Sequence, residues 1–490
     1  MDVQQNYLDL DRMVDRTVTQ TLIDSDIPLP QGRDAAEVLS ACAHHSGMEA
    51  VCQEGEVLVS GKLEMELLCR QLSGDTFGFT ASSAFSHQLE MAQADSDMTA
   101  VVTAQIVECN CTAEAGKLRL SAILELHILL LSPVKTPFVT AITGCACCES
   151  RSVQVPVQKR TLLSSHSMRL REEIAASDAS AVLVANGAAE IRAISFSGNA
   201  ASVEGLLHIT ALTASEDGTL QALSEAIPFS DVFDAPACDT VWGNASVDQL
   251  HVIAADPGFG VLDVEAVITI RLYGVKRDAH EVLADAYATD ASFRAENMDL
   301  VHLQCLGGMQ RTVTVNEPVA IPKHLPDAYG GIYATVTPAV TNTYDADGRF
   351  GVDAMLLVTV LYRCDAGKLH CFTEDIPIQF SFDAPYTAIS CVTLTCLRCQ
   401  IAGTGRTLSL TVNLCALAER YMPESICLTS EIVAGGEAPT PRGIVVYCAG
   451  AGETLWDVGK RYLVPVAQLK AWNEDLPDPL PEGKQVVLLA

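Results

Sequence analysis

The sequence has few aromatic and few basic residues. Phe, Trp and Tyr make up 6% of its 490 residues, so a core must be built mainly from Val, Ile, Leu and Ala. Lys and Arg total 31 against 61 Asp and Glu, a formal net charge of −30. Nucleic acid would be repelled, and so would an anionic membrane surface. An acidic surface suits solubility, and it also complements a basic face on a partner protein.

A long uninterrupted apolar run is also missing. The best candidate, Ile123–Leu131, is broken by Glu125 and His127. It is far shorter than the roughly 20 residues that span a bilayer. The first twenty residues are acidic and contain no apolar segment of the kind found in secretory signals. We therefore expect no transmembrane segment and a cytoplasmic location.

Cysteine, by contrast, is abundant, with 18 residues. A reducing compartment makes disulfides unexpected. Three clusters have spacings that resemble metal ligands: Cys145-Ala-Cys147-Cys148, Cys396-x-x-Cys399, and His44-His45 near Cys42 and Cys52. A structural zinc site needs two well-spaced pairs with matched ligands, which these clusters do not supply. We predict that the cysteines act as small core hydrophobes, with no metal and no cofactor.

Internal repeats organise most of the chain. The segments Thr210–Pro236 and Thr359–Pro385 match without a gap at an offset of 149 residues, and both contain Gly-x-Leu, Glu-x-Ile-Pro and Phe-Asp-Ala-Pro. A third, more divergent copy places Val59-Ser-Gly61-Lys-Leu63 on Val203-Glu-Gly205-Leu-Leu207, at an offset of 144. Self-similarity of this kind indicates repeated supersecondary units.

Each repeat has the alternation of β-strands. Apolar residues recur every second position from Val57 to Leu67, which is the period of a half-buried strand. Asp217-Gly218 supplies a hairpin turn, since this dipeptide tolerates positive φ. The predicted fold class is mainly β, with three antiparallel β-sandwich-like domains at residues 25–150, 165–295 and 308–430 and a small C-terminal βααβ module.

The N-terminus is predicted to be helical over residues 1–24. Leu10, Met13, Val14, Val18 and Leu22 follow the i, i+3, i+4 spacing of an apolar helical stripe. Packing of this helix on the first sheet is the favoured interpretation, and a helix reserved for a partner is the alternative.

A change of composition marks the last domain. Residues 431–442, rich in Gly, Pro and small side chains, are predicted to form a linker. In residues 443–490 a strand at Ile444–Tyr447 precedes a helix capped by Thr454, which is a good N-cap residue. A second helix at Val466–Trp472 and a final strand at Gln485–Leu489 complete a βααβ order.

This pattern resembles the LysM family. The matching residues are Tyr447, Gly452-Glu453-Thr454-Leu455-Trp456, Tyr462, Leu469, Asn473 and Gly483. The resemblance implies a shallow groove for N-acetylglucosamine chains, formed by Gly452, Glu453, Thr454 and Leu455 on one side and by Trp472, Asn473 and Leu476 on the other. Two departures are the ending Leu488-Leu489-Ala490 in place of the usual Ile-Pro, and the presence of a single module, since glycan binders often carry several.

The repeats resemble the SPOCS domain, named for spore coat assembly. The resemblance rests on the Ile-Pro and Asp-Ala-Pro marks and on the segment Asp285-Ala-Tyr287-Ala-Thr289-Asp290. Three such domains before one LysM module resemble the SipL family of clostridial spore-morphogenesis proteins. That family implies a protein made in the mother cell and placed at the forespore surface, whose LysM module engages the coat morphogenetic ATPase.

Catalytic signatures are missing. The sequence has no G-x-S-x-G, P-loop or H-E-x-x-H motif. Glu225 and Glu374 recur at matched positions, but they belong to different repeats and are missing from the first copy. We therefore expect a protein that is not an enzyme. The favoured function is a spore-assembly adaptor, and the alternative is a protein that binds peptidoglycan or another N-acetylglucosamine polymer through its LysM module.

Overall fold

The computed structural model describes residues 2–114, 116–143, 148–176, 179–256, 260–289, 293–434, 443–473 and 475–489. Strands hold 79% of the chain and helices 3%, so the protein is mainly β, as the alternation predicts. Three units of six strands precede a small module that contains both helices. None of the helices in the described ranges has the length and apolarity that a membrane crossing requires.

The first unit contains β1 (Asp2–Pro28), β2 (Glu37–Gln53), β3 (Glu56–Arg70), β4 (Thr76–Glu90), β5 (Thr99–Glu114) and β6 (Lys117–Thr143). The second contains β7 (Cys148–Ala175), β8 (Ala181–Ser197), β9 (Ala200–Ala214), β10 (Leu220–Asp234), β11 (Thr240–Asp256) and β12 (Val261–Ala288). The third contains β13 (Phe293–Ala320), β14 (Ala328–Ala346), β15 (Arg349–Cys364), β16 (Leu369–Phe382), β17 (Ile389–Ala402) and β18 (Thr407–Ala434). The module contains β19 (Ile444–Cys448), α1 (Leu455–Tyr462), α2 (Val466–Trp472) and β20 (Gln485–Leu489).

Each unit is built from two antiparallel three-stranded sheets. The long sheets have the orders β1-β6-β5, β7-β12-β11 and β13-β18-β17, and the short sheets are β2-β3-β4, β8-β9-β10 and β14-β15-β16. A ladder irregularity recurs at the same place in the fifth strand of each unit, after Ile106, Val247 and Cys396. The sheet order and the shared irregularity confirm the internal repeat.

Alternating burial joins the two sheets of a unit. In the first unit, Leu63 and Met65 on β3 and Leu124 and Leu126 on β6 are buried in one core. The second and third units have corresponding cores. The predicted Asp217-Gly218 hairpin turn is confirmed between β9 and β10, where Gly218 has φ of 80°.

The predicted N-terminal helix is wrong. Residues 2–28 form the strand β1, which pairs with β6 from Asp2↔Thr143 to Pro28↔Lys117. Of the expected helical stripe, Val18 and Leu22 are exposed. β6 offers backbone hydrogen bonds along its whole length, and this tertiary pairing overrides the helical spacing.

The first strand of each unit begins before the predicted repeat does. The units begin at Asp2, Cys148 and Phe293, whereas the repeats in the sequence were placed at residues 25, 165 and 308. The sequence matches lie in the third and fourth strands, so they carry no information on the first strand. The domain limits themselves stay a prediction.

Two hydrophobic clusters combine residues from all three units. One cluster joins Leu129 of the first unit, Trp242 of the second and Tyr421 of the third, and another joins Leu39, Val184 and Tyr333 in the same way. Because each cluster draws on all three units, the units cover one another's apolar faces. We call the three units together the body.

A buried charge lies at the junction between the second and third units. The Glu419 carboxylate on β18 accepts hydrogen bonds from Arg160 Nε at 2.8 Å, from Trp242 Nε1 at 3.1 Å and from the Tyr421 hydroxyl at 3.0 Å. The Arg160 guanidinium stacks over Tyr273, with Cζ 3.8 Å from the ring centroid. Every strong polar group of this cluster has a partner, which is the condition under which a buried ion pair is tolerated.

Candidate functional site

The C-terminal module folds around its own small core. Leu455 and Val458 on α1, Leu469 on α2 and Val486 on β20 are all fully buried in it. The predicted βααβ order is confirmed: β19 and β20 pair antiparallel from Ile444↔Leu489, and the two helices follow β19. The helices pack against one face of the two-stranded sheet.

Thr454 is the N-cap of α1, as predicted. Its side chain accepts a hydrogen bond from Asp457 N at 3.2 Å, and Asp457 Oδ2 accepts one from Thr454 N at 2.9 Å. This reciprocal pair is a capping box, which satisfies two backbone donors that the helix itself leaves free. Leu463 ends the helix with a left-handed φ of 55°.

The two loops of the expected groove lie side by side. The residue 450–454 loop follows β19, and the residue 475–480 loop follows α2. Leu480 N donates to Glu453 O at 2.7 Å, and Leu455 N donates to Asp478 Oδ1 at 3.1 Å. These two hydrogen bonds bring both sides of the predicted groove together.

Glu453 stabilises the first loop. Its carboxylate accepts hydrogen bonds from the Tyr447 hydroxyl at 2.6 Å, from Gly450 N at 2.8 Å and from an Arg461 guanidinium nitrogen at 2.6 Å. These bonds, that from Tyr447 first, lower the pKa of Glu453 below its ordinary value. All three partners belong to the module, so the Glu453 carboxylate joins β19, the loop and α1 to one another.

The other predicted groove residues differ in what they expose. Leu455 is fully buried in the module core. The Asn473 side chain accepts from Val487 N at 2.7 Å and donates to Leu469 O and Val487 O, so it ties α2 to β20. Trp472 and Leu476 pack on the core with part of their surface free. Gly452 is exposed with φ of 77°.

A ligand in this groove would therefore meet a restricted set of groups. Exposed backbone at Gly452 supplies hydrogen-bonding groups, and the free surfaces of Trp472 and Leu476 supply apolar contact. A sugar ring presents the same combination, with hydroxyl and acetamido groups at its edge and apolar C–H groups on its faces. Such a surface suits an uncharged glycan better than an ion.

A contact between the module and the body was not foreseen in the sequence. Trp456 Nε1 donates to Asp285 Oδ2 at 2.8 Å, and Lys460 Nζ contacts Asp285 Oδ1 at 2.6 Å. The Tyr287 hydroxyl donates to Val464 O at 2.9 Å, and the Tyr287 and Trp456 rings meet edge to face at 5.0 Å. We call Asp285 and Tyr287, at the end of β12, the module seat.

Only the second unit has the side chains of this seat. The last strand of each unit skips one residue in its ladder, Thr140, Ala284 or Ser430, which aligns the three strand ends. On this alignment Tyr287 corresponds to Thr143 in the first unit and Val433 in the third. The aromatic ring at this position therefore distinguishes one strand end from the other two. In the sequence, the segment that contains Asp285 and Tyr287 contributes only to the resemblance to the SPOCS domain.

The seat leaves the groove loops open. It engages α1 through Trp456 and Lys460, which are one turn apart, and at Gly459, where an added Cβ would lie only 2.5 Å from Tyr287 Oη. Gly452 and Asp475, in the two groove loops, are exposed in the intact chain. The body thus holds the module by one face and presents another.

The cysteine clusters of the sequence lie partly in buried core positions. Cys145 and Cys147 lie outside the described residues. Burial raises the pKa of the Cys396 thiol to about 12, and Cys399 is buried in the core of the third unit. Within the described ranges, no group of three His, Cys, Asp or Glu side chains has the geometry to hold a metal ion.

Comparison with known proteins identifies the module. The LysM domain family matches residues 450–488 of the chain. No curated protein and no solved structure matches the chain. A LysM domain therefore forms the C-terminal module.

Proposed function

We propose that this protein is a non-catalytic binding protein whose LysM domain docks it onto a polymer that contains N-acetylglucosamine, such as peptidoglycan. The observation that carries the proposal is the LysM match at residues 450–488. The residue 450–454 and 475–480 loops, which hydrogen bonds hold side by side, support it. Trp472 and the backbone at Gly452 are the groups we expect to contact the glycan.

The absence of catalysis is part of this proposal. Glu225 and Glu374, the recurrent acids of the repeats, are both exposed on outer strands, β10 and β16. A pair of catalytic carboxylates needs a shared site with a separation of about 5–9.5 Å. Acids in separate units, on solvent-facing surfaces, have no such site to share.

A second candidate is a protein adaptor in spore coat assembly. It rests on the resemblance of the repeats to the SPOCS domain and of the whole arrangement to the SipL family. In this candidate the LysM domain docks the coat morphogenetic ATPase, and the protein acts in the mother cell at the forespore surface. The net charge of −30 complements a basic partner face.

One experiment tests both candidates on the full chain. The protein is passed over insoluble peptidoglycan and, separately, over the immobilised coat ATPase of the same organism. Retention on peptidoglycan that Trp472→Ala reduces at least tenfold supports the first candidate. Gln468→Ala, an exposed change on the same helix, is the matched control. Circular dichroism and thermal melting establish that each variant is folded.

The outcomes separate the two candidates. Retention on the ATPase alone, unchanged after glycan-degrading treatment, replaces glycan binding by the adaptor function. Retention on peptidoglycan alone leaves the adaptor candidate without support. Retention on neither support contradicts both.

A further inference from the structure

The three units form between them a cavity of about 240 Å³ that is partly open to solvent. It is lined mainly by the second and fifth strands of every unit, namely β2 and β5, β8 and β11, and β14 and β17, with further residues from β13 and β18. A volume of about 240 Å³ is roughly eight times the share of one water molecule. The cavity is therefore a junction between units and too large for a packing defect in one core.

Equivalent positions of the three units meet in this cavity. The strand ladders place Gln105, Ser246 and Thr395 at the same position, next to the irregularity in the fifth strand. His44, Ala188 and Thr337 share a position on the second strand, opposite Glu64, His208 and Leu357. The cavity is lined by the three fifth-strand residues and by His44, Ala188 and Thr337. At each of these two equivalent positions, the three units thus present three different side chains to the cavity.

The lining combines apolar side chains with uncharged polar ones and a single carboxylate, Glu190, among the described residues. Thr337, Thr393 and Thr395 present hydroxyl groups, and Asn186 presents an amide. No Lys or Arg occurs among the described lining residues. Glu190, the acid that lines the cavity, is already paired with Arg192 at 2.8 Å and accepts a hydrogen bond from Thr312.

The lining residue His44 lies next to the buried carboxyl group of Glu66, which is outside the lining itself. Glu66 accepts a hydrogen bond from Asn186 Nδ2 at 3.3 Å, and burial raises the pKa of Glu66 to about 8. His44 Nδ1 lies 3.4 Å from Glu66 Oε1 and has no well-aligned hydrogen bond to any described residue. Burial lowers the pKa of His44 to about 4. Both pKa shifts disfavour the charged forms of these two groups beside the cavity.

We propose that this cavity binds a small uncharged molecule that carries several hydroxyl or amide groups. A charged ligand would lose hydration when it entered the cavity. It would find no free counter-charge among the described lining residues, so its desolvation would be costly. The volume lies below the roughly 300–1,000 Å³ of drug-sized pockets, which restricts the ligand to about the size of a monosaccharide. Asn244 and Gln310, both exposed, mark the side on which the cavity meets solvent.

The test compares three sugars of one ring size and different charge. Glucose is neutral, glucosamine is a cation and glucuronate is an anion at pH 7. None has the acetamido group that LysM domains recognise in their glycans, so the LysM groove is not the expected site. Crystals of the full chain are soaked with each sugar, and calorimetry measures binding in solution. We expect glucose alone to occupy the cavity and to bind.

Two variants with a control localise the binding. Ala188→Phe fills the cavity from β8 and is expected to abolish glucose binding, while Ala193→Phe makes the same change at an exposed position of the same strand. Thr337→Val removes one hydroxyl at constant volume and keeps the fold, and it should weaken glucose binding about threefold to tenfold. Peptidoglycan retention by these variants is a separate readout, which they should leave unchanged.

Specific outcomes would overturn the proposal. Ordered water alone in the cavity of a glucose-soaked crystal, with no heat of binding, shows that the cavity only solvates polar groups. Equal binding of all three sugars contradicts an uncharged ligand class. Undiminished glucose binding by folded Ala188→Phe places the site elsewhere.

Discussion

The body and the LysM domain are held together in different ways. In the body, each unit has its own core, and further clusters such as Leu129, Trp242 and Tyr421 combine residues from all three units. The LysM domain closes its own core around Leu455 and Leu469 and touches the body at the module seat. The body thus adds clusters shared between units to the core of each unit, whereas the LysM domain depends on one small core of its own.

This difference predicts how damage spreads. A change at a shared junction should destabilise the whole body, because its three units lose a common core. A change in the LysM core should unfold that domain and leave the body intact. The following predictions test this contrast, from the largest expected effect to the smallest.

Removal of the buried carboxylate should have the largest effect. Glu419→Ala leaves the Arg160 guanidinium buried without its partner, and breaking a buried pair costs about 3–5 kcal/mol. We expect the whole body to unfold at lower denaturant in a single transition, measured by circular dichroism and Trp fluorescence. The double change Arg160→Met with Glu419→Leu should recover most of the loss. Separate transitions for the three units would contradict the shared cores.

Truncation in the LysM core should act locally. Leu455→Ala removes a fully buried side chain, at a cost of about 2–5 kcal/mol. A small domain has little stability to lose, so we expect residues 443–489 to exchange amide hydrogen rapidly while the body remains protected. Hydrogen–deuterium exchange with mass spectrometry measures this. Loss of protection throughout the body would show that the two regions fold as one.

Glu66 should make the stability of the body depend on pH. Burial raises its pKa from 4.5 to about 8 in the folded state. Its contribution to stability is therefore present below pH 4.5 and is lost as the pH rises towards 8, at about 1.4 kcal/mol per unit of pKa difference. Glu66→Gln removes this titration. The stability of the variant relative to wild type should therefore be higher at pH 8 than at pH 5.

Denaturant unfolding from pH 4 to pH 9 measures this effect. His44 acts in the opposite sense, since its pKa falls from 6.5 to about 4 and its contribution is lost as the pH falls through that range. The control is Glu64→Gln, which changes the neighbouring acid on β3. Parallel pH profiles for wild type and Glu66→Gln would be evidence against a buried neutral carboxyl.

The seat should give the smallest effect. Tyr287→Phe keeps the ring and removes the hydrogen bond to Val464 O, which costs about 0.5–1.5 kcal/mol. We expect a modest increase in hydrogen exchange over α1. Tyr287→Ala also removes the ring contact with Trp456 and should free the domain, seen as a larger radius of gyration by small-angle scattering. Val433→Ala, at the equivalent end of the third unit, is the control and should leave the domain seated.

The LysM domain could be read closely from the sequence. The cap at Thr454, the helix end near Val464 and the strand at Gln485–Leu489 are local signals, and each occurs in the structure as predicted. The roles of single groove residues were less readable. Leu455 and Asn473 match the family pattern, but burial and hydrogen bonding show that they hold the domain together.

The sequence by itself determined the local features of this protein: alternating strands, turns such as Asp217-Gly218, the internal repeat and the βααβ module. Each depends on residues close together in the chain. The tertiary structure alone decided that residues 2–28 form a strand, because the partner of Asp2 is Thr143. It also decided the clusters shared between units, the module seat and the cavity between the units. These features arise where residues more than a hundred positions apart compete to bury the same apolar surface, and a local pattern contains no record of that competition.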